Sequence, residues 1–256
     1  MRQEYLRQQQ KRSKQRRQII ASVIVVALIV AVAFGFSGGS KKKTNTSASA
    51  TTVAPTTTTS STAPSAPPAF GKTACPAADG SSPATKTFAD SFQKCFTDGK
   101  KYTATMETDV GTIKIDLAAD QSPITANNFI ALARSHFYDG LTCHRVIKGF
   151  VDQCGDPKGD GSGGPGYTIG EEPPKSGKYA VGQLAMAKTS APHTTGSQFF
   201  IIVGDHGAAL PPQYSYLGTI TEGLDAAKKI EADGAAQDPS PPAVVHKITK
   251  VTITES

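Results

Sequence analysis

Beyond its first 43 residues this chain has no excess of basic charge, although its formal net charge is +6. Residues 1–18 carry seven Lys/Arg against Glu4, Lys41, Lys42 and Lys43 add three, and residues 44–256 hold 17 basic and 20 acidic side chains. The basic pI therefore belongs to the tail, and a mildly acidic body excludes an electrostatic nucleic-acid footprint. No C-x-x-C pair occurs among the four cysteines, which excludes a zinc ribbon or a thioredoxin-like site. The histidines (His136, His144, His193, His206, His246) show no i, i+4 pair and no carboxylate at ligand spacing, so no metal is expected. Ser197 lies in TGSQF rather than in a G-x-S-x-G elbow, and a strand pattern follows it. Gly159 to Gly164 matches G-x-G-x-x-G, but Pro165-Gly166 comes next and no helix opens. That stretch reads as a flexible loop rather than a dinucleotide site. There is no internal repeat, and nothing implies a cofactor.

What is present begins with compartment. Residues 19–36, IIASVIVVALIVAVAFGF, form an uncharged apolar run of 18 residues. As a helix it would be about 27 Å long, close to the ~30 Å thickness of bilayer hydrocarbon. With a basic tail before it (1–18), the run predicts a single-pass signal anchor, N-terminus cytoplasmic and body extracytoplasmic. The alternative is a cleaved signal at Ala31-Val32-Ala33 and a secreted body, although the run exceeds the usual signal core. No cysteine follows the run closely, which argues against a lipid-modified N-terminus. Residues 37–70 are rich in Thr, Ser, Ala and Pro and cannot bury a core, so they read as a linker or stalk.

The body is long enough for one well-buried core. YTATMETDVGTIKIDL reads as a hairpin, with Ile113, Ile115 and Leu117 alternating with polar residues and Asp109-Val110-Gly111 turning. SPITANNFIALARSHF reads as a helix capped by Ser122, with Pro123 at its first position and Ala126, Phe129, Ile130 and Ala133 on one face. HRVI, GFVDQ, GQLAMA, SQFFIIV and YSYLGTI are short strand candidates, TEGLDAAKKIEA a second helix and VVHKITKVTIT a closing strand. Many short strands with two helices predict a mainly β fold, an antiparallel barrel with helices over its ends. Outside the cytoplasm, four cysteines predict two disulfides, and three pairings are possible. A turn at Lys148-Gly149 would set Cys143 opposite Cys154 on paired strands. Cys75–Cys95 then remains, tying down an extension over 71–101.

The stretch CHRVIKGFVDQCGD, Cys143 to Asp156, places an arginine and a glutamine inside a strand-like apolar run. His144-Arg145-Val146-Ile147-x-Gly149-Phe150-x-x-Gln153-x-Gly155-Asp156, Gly161-x-Gly163-Gly164, Leu184-Ala185-Met186-Ala187 and Gly196-Ser197-Gln198-Phe199-Phe200-Ile201 follow one another in order. Together they resemble the cyclophilin family of peptidyl-prolyl isomerases over 102–256. The anchor, linker and first cysteine pair resemble an extracytoplasmic actinobacterial form. The resemblance implies an eight-stranded antiparallel barrel capped by two helices. It also implies Arg145 and Gln153 as catalytic residues, with Phe150, Val151, Phe200, Leu210 and Tyr214 around the proline and Thr189 in a neighbouring subsite. The implied partners are Pro-containing segments of unfolded or exported proteins, met by a monomer.

The chemistry accounts for the arginine. An X-Pro bond crosses between cis and trans over a barrier of about 18–20 kcal/mol, because twisting breaks amide resonance. The reaction needs no nucleophile and no cofactor, only a site that binds the twisted amide better than either planar form. A permanently charged guanidinium can hold the substrate carbonyl and stabilise the prolyl nitrogen as it becomes basic. Some positions depart from the family pattern. Val151 stands where Met is common and Tyr214 where His is common, and Ser190-Ala191 lengthens the loop before Pro192. The chain has no tryptophan, and Ala209 falls where many members carry the indole that serves cyclosporin, so weak cyclosporin binding is expected. A rival reading is a Pro-peptide-binding or chaperone module without catalysis. A third is a surface protein whose stalk is the functional part.

Overall fold

The computed structural model describes residues 70–256 apart from Ser176. The tail 1–18, the apolar run 19–36 and all of the linker but Phe70 lie outside the described residues. Among the described residues, no helix is long and apolar enough to cross a membrane.

The expected first hairpin is β1 (Tyr102–Thr108) and β2 (Gly111–Leu117), turning at Asp109-Val110. Ala104 pairs with Ile115 and Met106 with Ile113, so one face of both strands is buried. The remaining strands are β3 (Arg145–Val146), β4 (Val151–Cys154), β5 (Gln183–Met186), β6 (Phe199–Ile202), β7 (Tyr216–Glu222) and β8 (Ile248–Glu255). They form one antiparallel sheet in the order β3-β4-β6-β5-β7-β2-β1-β8. The expected closed barrel is corrected to a curled half-barrel, because β3 and β8 share no ladder. The residues just before them meet at a single bridge, Thr142 with Lys247. The outer side of β3 is occupied instead by Ala235, whose N–H donates to Val146 O (2.9 Å) and whose carbonyl accepts from Lys148 N (3.0 Å).

Two helices were expected in the body, and three are found among the described residues. α1 (Pro123–Arg134) packs against β7 and β8, and α3 (Leu224–Ala232) against β2 and β4. The added α2 (Asp205–Ala208) is a single turn, too short to show a helical period in sequence. Ser122 occupies the N-cap of α1, yet its side chain makes no capping bond. The cap comes from elsewhere: the Glu172 carboxylate accepts from Ile124 N (3.1 Å) and Thr125 N (2.8 Å). A charge at that end also suits the helix dipole. Thr125 to Arg134 are all buried, more than one face, because the extension lies on the side away from the sheet. Asn127 accepts from Cys95 N (2.6 Å) and donates to Gln93 O (2.9 Å), while Arg134 donates to Cys95 O (2.9 Å). Lys86 Nζ donates to the carbonyls of His136, Phe137 and Asp139 beyond the helix C-terminus.

Both disulfides have the expected partners, Cys75 with Cys95 and Cys143 with Cys154. The second pair does not sit directly across the hairpin as expected. The register pairs Arg145 with Gln153, so the hairpin turns about Gly149 and Cys143 is not directly opposite Cys154. Cys143 has already left the ladder, and its N–H donates to His246 O (3.0 Å).

Candidate active site

Alternation along the short strands sorts the site from the core. Val146, Asp152, Ile201 and Leu184 are successive cross-strand partners on β3, β4, β6 and β5, and all four are fully buried on the interior face. The next row, Arg145–Gln153–Phe200–Ala185, therefore lies on the opposite face. An arginine fits this strand because its side chain leaves the core. Val151 and Ile202, one pair further along, share that outer face with Phe200 and form a second apolar cluster with Tyr179 and Ala185.

The hairpin tip is held from two helices. Gly149 sits at φ 72°, a conformation that favours glycine, and its N–H donates to Glu231 Oε1 of α3 (2.7 Å). Its carbonyl accepts from His206 N of α2 (3.2 Å). Gly204, the N-cap of α2, approaches so closely that a Cβ there would lie 2.3 Å from the Gly149 carbonyl. The single-turn helix thus seats against Phe150 and delivers Leu210 from its far end.

The result is a cleft of about 240 Å³ lined by Arg145, Phe150, Val151, Gln153, Ala187, Lys188, Phe200, Leu210 and Tyr214. Seven of the eight expected catalytic and substrate-contacting residues meet there. Thr189 does not line it. It borders an adjoining groove of about 680 Å³, where its Oγ1 donates to Thr194 Oγ1 (3.0 Å). The two spaces share Gln153, Ala187 and Lys188. The larger is walled mainly by the Gly161–Gly166 loop and short polar side chains, whereas the smaller has the aromatic and aliphatic walls. Apolar walls suit the proline ring that the resemblance implies, which makes the smaller cleft the candidate site.

Tyr214 meets Phe200 edge to face, with ring centroids 5.3 Å apart. Its backbone is clamped by Tyr179, whose hydroxyl accepts from Tyr214 N (3.0 Å) and donates to Tyr214 O (2.7 Å). Burial pushes the Tyr179 hydroxyl above its ordinary pKa, so it stays protonated.

A polar chain crosses the cleft. Arg145 Nε and Nη2 donate to Asp238 Oδ1 (3.1 Å) and Oδ2 (2.7 Å), and Nη1 donates to Gln153 Oε1 (3.2 Å). Gln153 Nε2 donates to Gln198 Oε1 (2.9 Å), and Gln198 Nε2 to the carbonyls of Gly161 (3.0 Å) and Gly163 (2.9 Å). The guanidinium carbon lies 5.5 Å from the Phe150 ring centroid. Arg145 has five N–H donors, and the described residues take three, which leaves one on each terminal nitrogen for a ligand. Its hydrogen bonds and charge hold the Asp238 carboxyl below its ordinary pKa.

The glycine loop expected to be flexible is tied at several points. The buried Asp156 carboxylate accepts from Lys158 N (2.7 Å), Asp160 N (3.1 Å) and Gly161 N (2.6 Å). A Cβ on Gly163 would lie 1.9 Å from Asp156 Oδ1, which leaves room only for glycine. His144, the neighbour of Arg145, is held neutral by burial, which lowers its pKa.

Sequence reading did not name Asp238, Gln198, Tyr179, Lys188 or Ala187 as site residues. Gln198 and Ala187 stand inside family motifs, which is the signal that could have found them. Asp238 had no local signal, lying 93 residues from Arg145 in a Pro-rich loop.

A family model described as cyclophilin type peptidyl-prolyl cis-trans isomerase/CLD matches residues 103–253. A Mycobacterium tuberculosis protein named "Probable peptidyl-prolyl cis-trans isomerase B" is 41% identical over 177 residues, covering 62% of this chain and 54% of its own. The chain thus spans about half the length of its mycobacterial relatives. An Arabidopsis thaliana protein, peptidyl-prolyl cis-trans isomerase CYP18-1, is 39% identical over 153 residues, covering 58% of this chain and 94% of its own. Among solved structures, a Cryptosporidium parvum cyclophilin type peptidyl-prolyl cis-trans isomerase superposes with a TM-score of 0.56 at 30% identity, over 61% of this chain and 99% of its own. The same protein has been solved in the presence of the dipeptide Ala-Pro. A family model matching more than half of the chain settles its membership: the chain belongs to the cyclophilin-type peptidyl-prolyl cis-trans isomerase family.

Proposed function

We propose that this protein accelerates cis–trans rotation of X-Pro bonds in exported polypeptides. The observation that carries the reading is the Arg145 guanidinium at the rim of the apolar cleft, with one unused N–H on each terminal nitrogen. The proline ring enters between Phe150, Val151, Phe200, Leu210 and Tyr214. At about 240 Å³ the cleft is below the ~300–1,000 Å³ of drug-sized ligand sites, which suits a small ring. The chain on either side of the ring runs over the adjoining groove, where loop carbonyls and Thr189 offer polar contacts.

As the amide twists, conjugation is lost and the prolyl nitrogen regains its lone pair. Arg145 donates to the carbonyl oxygen and stabilises that nitrogen, contacts that strengthen as the bond leaves planarity. Gln153 orients the guanidinium and contacts the substrate backbone. No proton is transferred and no covalent bond is made. Residues 19–36 anchor the chain in a membrane with the isomerase domain outside, where newly exported segments are its substrates. The two disulfides suit that compartment.

The test is prolyl isomerisation of an X-Pro peptide, followed by exchange NMR, with the full-length oxidised protein and its Arg145→Ala variant. Wild type should accelerate exchange, and the variant should lose about 10²–10³-fold, as when one preorganised electrostatic donor is removed. Folded wild type that binds the peptide without accelerating it would replace this reading with a Pro-peptide-binding module.

A further inference from the structure

We infer that Asp238 is a positioning residue for Arg145, fixing the guanidinium so that its two unused N–H groups face the cleft. The inference rests on the isomerase reading given above and concerns the residue that readies the arginine. Asp238 takes the Nε and one Nη2 donor in a two-point fork, at 3.1 and 2.7 Å. Two parallel bonds define the plane of the guanidinium as well as its location. Gln153 takes one Nη1 donor at 3.2 Å, and the guanidinium carbon lies over the Phe150 ring, 5.5 Å from its centroid. Three constraints thus act on a group at the end of a long, otherwise rotatable side chain. Asp238 is the anionic one.

The energetic weight of an exposed ion pair is usually small, and the Asp238 side chain is 46% exposed. The two-point geometry is the recognised exception, and the consequence here is directional rather than stabilising. Without Asp238 the guanidinium can turn about its own side-chain torsions, and its free donors no longer meet the carbonyl and prolyl nitrogen together. Gln153 alone fixes one nitrogen and leaves rotation about that bond. Asp238 itself does not line the cleft, so its effect is exerted through Arg145. The loop that carries it is placed by α3: Gly234 N donates to Glu231 O (2.8 Å), and Ala235 is locked to Val146 of β3 and to Lys148 in the turn after it. The fold therefore delivers the carboxylate to the arginine from a separate element.

The experiment uses the full-length oxidised protein, wild type and the variants Asp238→Ala, Asp238→Asn and Arg145→Ala. Exchange NMR of an X-Pro peptide reads kcat and KM, and the Arg145 Nε–H resonance reads the order of the guanidinium. The expected result for Asp238→Ala is a fall of about tenfold in kcat with KM changed less than twofold. That is smaller than the ~10²-fold cost of a misplaced catalytic contact, because Gln153 and Phe150 still act. Its Nε–H resonance should exchange faster with solvent. Asp238→Asn keeps one acceptor oxygen and should recover part of both. Unchanged kcat in Asp238→Ala beside an active wild type would overturn the inference. Faster turnover would overturn it too, and would make Asp238 a competitor for the donors the substrate needs. If wild type itself fails to accelerate exchange, the isomerase reading falls. The Nε–H resonance would then still decide whether Asp238 orders the guanidinium.

Discussion

Replacing Asp152 by asparagine should make the protein more resistant to unfolding near neutral pH, by an amount that grows from pH 4 to pH 8. Asp152 sits in the interior row between Val146 and Ile201, fully buried, and neither carboxylate oxygen has a hydrogen-bond partner among the described residues. Burial, with the nearby Glu231 charge adding to it, pushes its pKa up to about 8 from the ordinary 3.8. The folded protein therefore keeps this proton between those values, while the unfolded chain releases it. Stability from the bound proton is complete below about pH 4 and is lost as pH rises toward 8, at about 1.4 kcal/mol per pH unit. Between pH 4 and pH 7 the loss is about 4 kcal/mol, a large share of the 5–15 kcal/mol typical of a domain. Asparagine has a similar shape and no proton to release. The assay is urea unfolding of the full oxidised chain and its Asp152→Asn variant from pH 4 to pH 9, with midpoints and slopes compared. Titrations common to both proteins cancel in the difference. The two should be close at pH 4, and the variant ahead by several kcal/mol at pH 8. Parallel stability curves would refute the reasoning, since they would mean that Asp152 is ionised in the native protein.

Three further outcomes are expected. Replacing the Cys75–Cys95 or the Cys143–Cys154 pair by serine should cost about 3 kcal/mol each on the chain-entropy estimate, for separations of 20 and 11 residues. Reduction should lower Tm correspondingly, and an unmoved Tm would show that the bridges do not contribute. Glu172→Gln should destabilise by about 1 kcal/mol, because the charge at the N-terminus of α1 is lost while an acceptor oxygen remains. Denaturant midpoints of the two proteins would check it, and equality would return the capping role to solvent. Cyclosporin should inhibit weakly while isomerase activity persists, because Ala209 stands exposed at the end of α2 where the family often carries an indole. Tight inhibition in the exchange assay would contradict this.

The elements were legible wherever a local period was long enough to read. Ile113, Ile115 and Leu117 marked β2 because a half-buried strand alternates, and Pro123 marked the start of α1 because its missing N–H is harmless there. α2 was not legible, since four residues cannot display a helical period. Ser122 misled because a sequence shows which residue can cap a helix, not whether a distant carboxylate such as Glu172 arrives first. The Cys143–Cys154 partners followed from proximity in a hairpin, yet the register was one residue off. Only the glycine turn and the contacts of Ala235 decide that.

What the sequence determined by itself is the chemistry on offer: a guanidinium, an amide and large apolar side chains on short strands, in an order that specifies the family. It also placed Arg145, Gln153 and Phe200 on strands where alternation could put them on one face. What only the tertiary structure decided is which groups act on that guanidinium. Cross-strand register set the row Arg145–Gln153–Phe200 outside and Asp152 inside, because side-chain direction in a sheet changes with every residue of shift. The loop after α3 brought Asp238 to Arg145 across 93 residues, a contact that no local pattern encodes because it depends on how two separate elements pack.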